Sequence, residues 1–268
     1  MTESVDFDEH DPKMNRRRLP IRNFLFSALF FLATLAGYCA DGGNSAPSGK
    51  GDYAAGPTNY QMVEAPTAYV LMHGGYDILA KMYESGGLYL SANVGFKDFF
   101  MFGFSGNATN VIGQGTIQVQ TPRLSLKFKV LDQKTSPVAL GLGWDDRGYG
   151  AEAGGRFTPG LQKGFFAVVS HEFAQLGYLQ GHAGLNAVKF DNFNSSRDLG
   201  AFFGTSFALV PPLMFNFEVD KLITPSWQFN ANVIYNVDNP LRVGLDFRDI
   251  NNGGLFSRIV RVEYTGFF

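Results

Sequence analysis

The chain is almost without cysteine: Cys39 is the only one in 268 residues. A lone thiol excludes an intramolecular disulfide and a cysteine-based metal cluster. Charge is sparse as well, at 17% of residues, and a net charge of -2 excludes the basic face that a nucleic-acid partner needs. Beyond residue 40 no stretch approaches the roughly 18 uninterrupted apolar residues of a transmembrane helix. Helical periodicity is missing too. Any membrane crossing must therefore be made by strands.

What the chain has in excess is aromatic residues, at 15%, including 27 Phe, together with 32 Gly. A soluble domain has one core to fill and rarely needs so many Phe side chains. A barrel that faces lipid can place them all round its circumference. The mean hydropathy of -0.04 fits that picture, because alternation averages an apolar face against a polar one.

Residues 14 to 40 carry an export signal. Arg16, Arg17, Arg18 and Arg22 lead into an uncharged apolar run from Phe24 to Ala36, and small residues follow. The acidic residues Glu3, Asp6, Asp8, Glu9 and Asp11 are foreign to such a signal, which points to translation starting at Met14. LAGYC resembles a lipobox, yet Tyr38 stands where a small residue belongs, so ordinary cleavage between about 36 and 40 is expected instead of lipidation of Cys39. The division that follows is 1-40 extension and signal, 41-67 flexible periplasmic linker rich in Gly, Ser and Pro, and 68-268 barrel.

From about residue 76 onward, segments of roughly ten residues alternate apolar and polar. In RLSLKFKVL, Leu124, Leu126, Phe128 and Val130 oppose Arg123, Ser125, Lys127 and Lys129. LRVGLDFRD sets Leu241, Val243, Leu245 and Phe247 against Arg242, Asp246 and Arg248. The pattern predicts strands at 76-84, 87-97, 99-106, 123-131, 137-145, 164-174, 178-188, 199-208, 213-220, 226-235, 240-248 and 257-267. Connections alternate between short turns and longer Gly/Asn/Asp-rich loops. The short 85-86 and 221-225 are exceptions on the loop side. The expected fold is all-β: a transmembrane antiparallel up-and-down β-barrel of about twelve strands in the bacterial outer membrane, in contact with its lipids. A secreted sandwich would need a polar outer face, which these strands lack.

The last strand, RIVRVEYTGFF, ends the chain on Phe268, with Tyr264, Val262 and Val260 on the same face. It resembles the C-terminal β-signal of bacterial outer-membrane proteins, which implies the barrel-assembly machinery as a partner.

Longer stretches carry a further likeness. GGLYLSANVGFKDFFMFGFSGNATNVIGQG, LSLKFKVLDQ, PVALGLGWDDRGYG, VVSHEF, GHAGLN and VGLDFRDINNG resemble the YjbH-like outer-membrane proteins linked to exopolysaccharide production, and the barrels around them. That resemblance covers most of residues 75 to 268. It implies a role at the cell surface, in polysaccharide export with its export components as partners, or in envelope maintenance. It implies no catalytic residue.

Candidate chemistry is thin. Ser170, His171 and Glu172 are adjacent, so strand alternation points them to opposite faces. Across the hairpin, however, Ser170 should lie opposite His182, with Glu172 one pair away and all three facing inward. A serine, a histidine and a carboxylate could form a nucleophilic centre, but in a lumen they read better as a hydrogen-bonded layer. Asp145 and Asp146 stand beside Arg147, which can neutralise one of them, and no third acid follows at calcium-loop spacing. NVIGQG lacks the lysine and helix of a phosphate loop. His73 reads as a surface residue. Tyr83, Phe99, Trp144, Phe165, Trp227 and Tyr264 are candidates for interfacial girdles. No catalytic, cofactor or metal residue is assigned.

The inward-facing charges are Asp77, Lys81, Arg123, Lys127, Lys129, Glu172, Glu218, Asp220, Arg242, Asp246, Arg248, Arg261 and Glu263. Their signs are mixed, unlike a single-sign selectivity ring. Closing an even barrel pairs the first strand with the last, so Asp77 and Lys81 should cross-pair with Arg261 and Glu263. A network of Asp77, Lys81, Lys127, Lys129, Arg242, Asp246, Arg248, Arg261 and Glu263 should constrict or plug the lumen. The expected activity is non-enzymatic: a narrow pore or an exopolysaccharide export or envelope component. An outer-membrane lipid or lipopolysaccharide hydrolase, and a surface protein acting through its loops, are the alternatives.

Overall fold

The structure, a computed structural model, describes residues 59-84, 86-149, 163-173, 178-187, 199-210, 212-223, 227-238, 240-252 and 256-268. The strands are β1 Gly75–Tyr83, β2 Gly87–Phe96, β3 Phe100–Thr109, β4 Gln118–Val119, β5 Arg123–Leu131, β6 Ala139–Asp145 and β7 Gly164–Phe173. They continue as β8 Leu179–Ala187, β9 Leu199–Val210, β10 Leu213–Asp220, β11 Gln228–Asp238, β12 Leu241–Arg248 and β13 Ser257–Phe267. β4 is a two-residue appendage on the end of β3. The other twelve form a closed antiparallel ring: β3 pairs with β5, and β1 pairs with both β2 and β13. At the seam, Gly75 lies opposite Phe267 and Met82 opposite Val260.

Side-chain alternation sorts each strand. Along β1, Asp77, Leu79, Lys81 and Tyr83 are buried inside, while Ile78 and Met82 face out. Ile78, Leu90, Phe104, Phe128, Phe165, Leu185, Leu245 and Val260 are each between 43% and 61% exposed on the outer wall. The interior instead holds Asp77, Lys81, Asn93, Glu218, Asn230, Asp246, Arg261 and Glu263, all at 2% exposure or less. Apolar outside and charged inside is the reverse of a soluble protein. It is stable only where hydrocarbon surrounds the wall. The chain is a transmembrane β-barrel. A concavity of about 600 Å³ between Trp144, Phe165 and Leu185 lies on that outer wall and belongs to the lipid face.

Tyr83 departs from its expected girdle position. It is 5% exposed, points inward and donates its hydroxyl hydrogen to Asn107 Oδ1 (2.6 Å). The reason is parity: the alternation that turns Lys81 inward turns Tyr83 with it. Phe99, Phe165, Trp227 and Tyr264 are exposed on the outside.

At one rim the turns are tight. Lys97 and Asp98 have φ of 48° and 59°, a left-handed pair within the three-residue connection between the paired Phe96 and Phe100. Asp98 Oδ1 also accepts the His73 amide hydrogen (2.6 Å), which ties the chain before β1 to this turn. At the other rim, β3 leads into the exposed stretch around Gln114. In a Cys39→Ala background, a cysteine at Gln114 is expected to react with an impermeant maleimide on intact cells. One at Lys134 should react only after permeabilisation. Labelling of position 134 on intact cells would reverse the orientation.

Of the stretch whose composition suggested a linker, 41-67, residues 41-58 lie outside the described residues. Residues 59-67 differ from a free linker: they are inside the barrel. Met62, Val63, Ala65, Thr67 and Ala68 all have 0% exposure. Composition hides this because the segment is short and without periodicity, and follows directly on a stretch rich in Gly, Ser and Pro.

Candidate functional site: the occupied lumen

Residues 59-70 form a hairpin-like turn. Gln61 bridges Pro66, Met62 N donates to Ala65 O (3.0 Å), and Thr67 N donates to Tyr60 O (3.3 Å). Asn59 bonds Ser206 and Asn216, while the turn reaches Glu218 and packs Met62 over Gly204. Ser206 and Asn216 lie nearer the β9–β10 turn than Gly204 and Glu218 do. Both arms of the hairpin therefore descend toward the rim of short turns, from which Leu71–Gly74 join β1.

The wall makes room by having no side chain. A Cβ on Gly141 would stand 2.9 Å from Ala68 Cα, and one on Gly95 would stand 2.3 Å from Met72 O. Met62, Ala65 and Ala68 pack into a cluster with Ala139, Phe166, Val168 and Phe202.

Polar contacts then fix the segment. Lys127 Nζ donates to the carbonyls of Tyr60 (2.7 Å), Thr67 (3.1 Å) and Tyr69 (2.9 Å), using all three ammonium protons. Arg261 donates to Met62 O (2.9 Å) and Lys81 to Val63 O (2.8 Å). The Glu218 carboxylate accepts the amides of Val63, Glu64 and Ala65 at 2.9 to 3.2 Å. Tyr60 donates its hydroxyl hydrogen to Glu263 (2.8 Å). Burial, then the Asp77 and Glu263 carboxylates, raise the Tyr60 phenol well above its ordinary value, so it keeps that proton.

From the loop side, Arg147 and Tyr149 fold inward. Arg147 grips Asp145 through Nε and Nη2 (3.0 and 2.8 Å) and Asn93 through Nη1 (2.7 Å). Tyr149, whose phenol burial also raises, donates to Glu64 and packs with Leu79, Tyr83, Tyr89 and Ile259. The space left among Gln61, Glu64, Lys81 and Arg147 is about 10 Å³, the lower limit for one water.

The predicted charges divide into centre and rims. Asp77, Lys81, Lys127, Arg242, Asp246, Arg261 and Glu263 are buried in the lumen. Lys129 pairs with Asp132 at the turn rim, and Arg248 reaches Glu84 (3.8 Å) at the loop rim. Arg123 pairs with Asp146 (3.3 Å). The seam does not close by direct cross-pairing of β1 with β13. Lys81 and Arg261 stand opposite each other in register, and like charges cannot pair. Both turn to Asp246 on β12, at 3.3 and 3.9 Å. Arg242 and Arg261 hold Glu263, and Asp77 takes the Asn93 amide.

Ser170 and His182 meet as the hairpin register predicts, with Oγ 2.8 Å from Nδ1. Ser170 Oγ also accepts the Ala68 amide hydrogen (2.8 Å), while His182 Nε2 faces Ser206 Oγ (3.4 Å). Glu172 is away at the turn rim beside Gln180, so no carboxylate orients the ring. His171 contacts Gln133 and Pro137 instead. With Ser170 and His182 at 0% and 1% exposure, this is a layer that seats the inner segment. Among the described residues no cluster of three or more metal-ligating side chains forms.

No family model matches the sequence, and no curated protein matches it. Solved barrels do align over most of it. The KdgM porin is 10% identical, over 72% of this chain and 99% of that one, with a TM-score of 0.45. Omp33 of Acinetobacter baumannii is 8% identical over 74% and 99%, with a TM-score of 0.39. A triple mutant of the Rhodopseudomonas blastica porin is 8% identical over 72% and 98%, with a TM-score of 0.34.

The residues that sequence reasoning missed are those of the inner segment. Inward glycines at 95, 141 and 204 were the available signal. Each leaves a gap on the inner face, where Ala68, Met62 and the Met72 carbonyl come close.

Proposed function

We propose that this protein is a non-enzymatic outer-membrane barrel working as a narrow pore that its own residues 59-70 keep shut at rest. The supporting observation is the burial of Met62, Val63, Ala65, Thr67 and Ala68 at 0% exposure within a closed ring of strands. A role in exopolysaccharide export, which the sequence resemblance implies, requires the same opening step, because a sugar chain needs the volume that the segment fills. Purified wild-type protein in planar bilayers is expected to show no steady current. Large, stable, porin-like currents would contradict the closed resting state.

Assembly is proposed to depend on the C-terminal residue through the barrel-assembly machinery. Phe268 is 88% exposed, with its ring centroid 5.0 Å from that of Tyr76, so it adds little burial to the finished barrel. Deleting Phe268 should therefore lower the amount of heat-modifiable protein in the membrane severalfold. The unfolding temperature of the fraction that assembles should hardly change. Undiminished membrane levels would remove the assembly role.

A further inference from the structure

We propose that the lumen is a binding site for a turned polypeptide segment, filled in cis by residues 59-70 and able to hold the same peptide in trans. This rests on the reading of that segment as a separable plug. The wall recognises main chain more than side chains. Its cations Lys127, Arg261 and Lys81 donate to backbone carbonyls, and its acceptors Glu218 and Ser170 take backbone amides.

Two of these groups lack a direct ion pair. Lys127 and Glu218 are 5% and 1% exposed, and among the described residues neither has an opposite charge within ion-pairing distance. A buried charge without a contact ion pair needs hydrogen bonds instead. Lys127 obtains its three from peptide oxygens, and Glu218 obtains its backbone donors from three successive peptide nitrogens. Such a donor and acceptor set matches the alternating groups of a polypeptide turn. Residue-specific contacts add selectivity: Asn59 reaches Ser206 and Asn216, Tyr60 reaches Glu263, and Met62 and Ala68 enter the cluster of Phe166 and Phe202.

The link at 71-74 gives access to a test, since Met72 and His73 are exposed at the rim. A protease site inserted between them in the full-length protein allows the segment to be cut from the assembled barrel. The fragment ending at Met72 is expected to stay bound through size-exclusion chromatography in detergent. An excess of synthetic peptide 59-72 should exchange with it. A peptide carrying Ala68→Pro, which has no amide hydrogen for Ser170, should exchange at least tenfold less effectively. That arm varies only the peptide, so barrel folding cannot confound it. Lys127→Met with Glu218→Gln in the barrel should release the fragment on cutting. Loss of the wild-type fragment at once, or equal displacement by a scrambled peptide or an acidic oligosaccharide, would overturn the proposal. Bilayer currents separate this from the pore reading: a barrel that binds and exchanges the peptide but stays shut when empty sinks only the pore.

Discussion

Removing residues 59-70 is expected to turn a barrel without steady current into one with stable conductance. The segment occupies the central lumen with Met62, Val63, Ala65, Thr67 and Ala68 at 0% exposure, and the space among Gln61, Glu64, Lys81 and Arg147 is about 10 Å³. Once it is gone, Lys81, Lys127, Arg242 and Arg261 face Asp77, Glu218, Asp246 and Glu263 across a hydrated interior. The signs balance, so the open state should discriminate weakly between cations and anions, unlike a single-sign ring. Gly141→Leu is the subtler arm, because its side chain must enter the space where Ala68 Cα would stand 2.9 Å from a Cβ. It should produce intermittent currents of similar size. If both variants insert normally and both stay silent, the segment is not what closes the barrel.

The second large effect concerns Asp246. Its carboxylate serves Lys81 at 3.3 Å and Arg261 at 3.9 Å, with the three side chains between 0% and 2% exposed. Taking one partner from a buried ion pair costs about 3 to 5 kcal/mol because the remaining charge is uncompensated. Lys81 keeps Glu64 (3.4 Å) and Arg261 keeps Glu263 (3.4 Å), so Asp246→Ala should cost near 3 kcal/mol, the lower end. Asp132→Ala, which removes the partner of Lys129 at the partly exposed turn rim, should cost about 1 kcal/mol or less. Denaturant titrations of the two refolded variants would show the difference. An equal loss in both would mean that the centre of the barrel is as wet as its rim.

The wall was legible in the sequence because a strand facing two unlike media must alternate at every residue. Leu124 to Val130 and Leu241 to Phe247 show that period plainly, and the register Ser170 to His182 follows from the turn between them. The lumen charges were legible for the same reason, since their parity is that of the strands. Their partners were not. Lys81 and Arg261 are neighbours across the seam, and only the three-dimensional curvature brings Asp246 from the next strand within reach of both. The inner segment was hidden more deeply. Its single turn has no period, its apolar residues are scattered, and its backbone is satisfied by Lys127, Glu218, Arg261 and Ser170, which lie at least 58 positions away in the chain. Composition alone makes such a stretch look like a linker.

Hydrogen exchange at residues 62-68 tests the occupied lumen most directly. The amides of Met62, Val63, Glu64, Ala65, Thr67 and Ala68 are all donated within the barrel. In intact protein they should exchange on the order of a thousandfold more slowly than in the free peptide, corresponding to about 4 kcal/mol of opening free energy. Exchange at the free-peptide rate, in a barrel whose strand amides stay protected, would show that the segment lies outside and contradict the account.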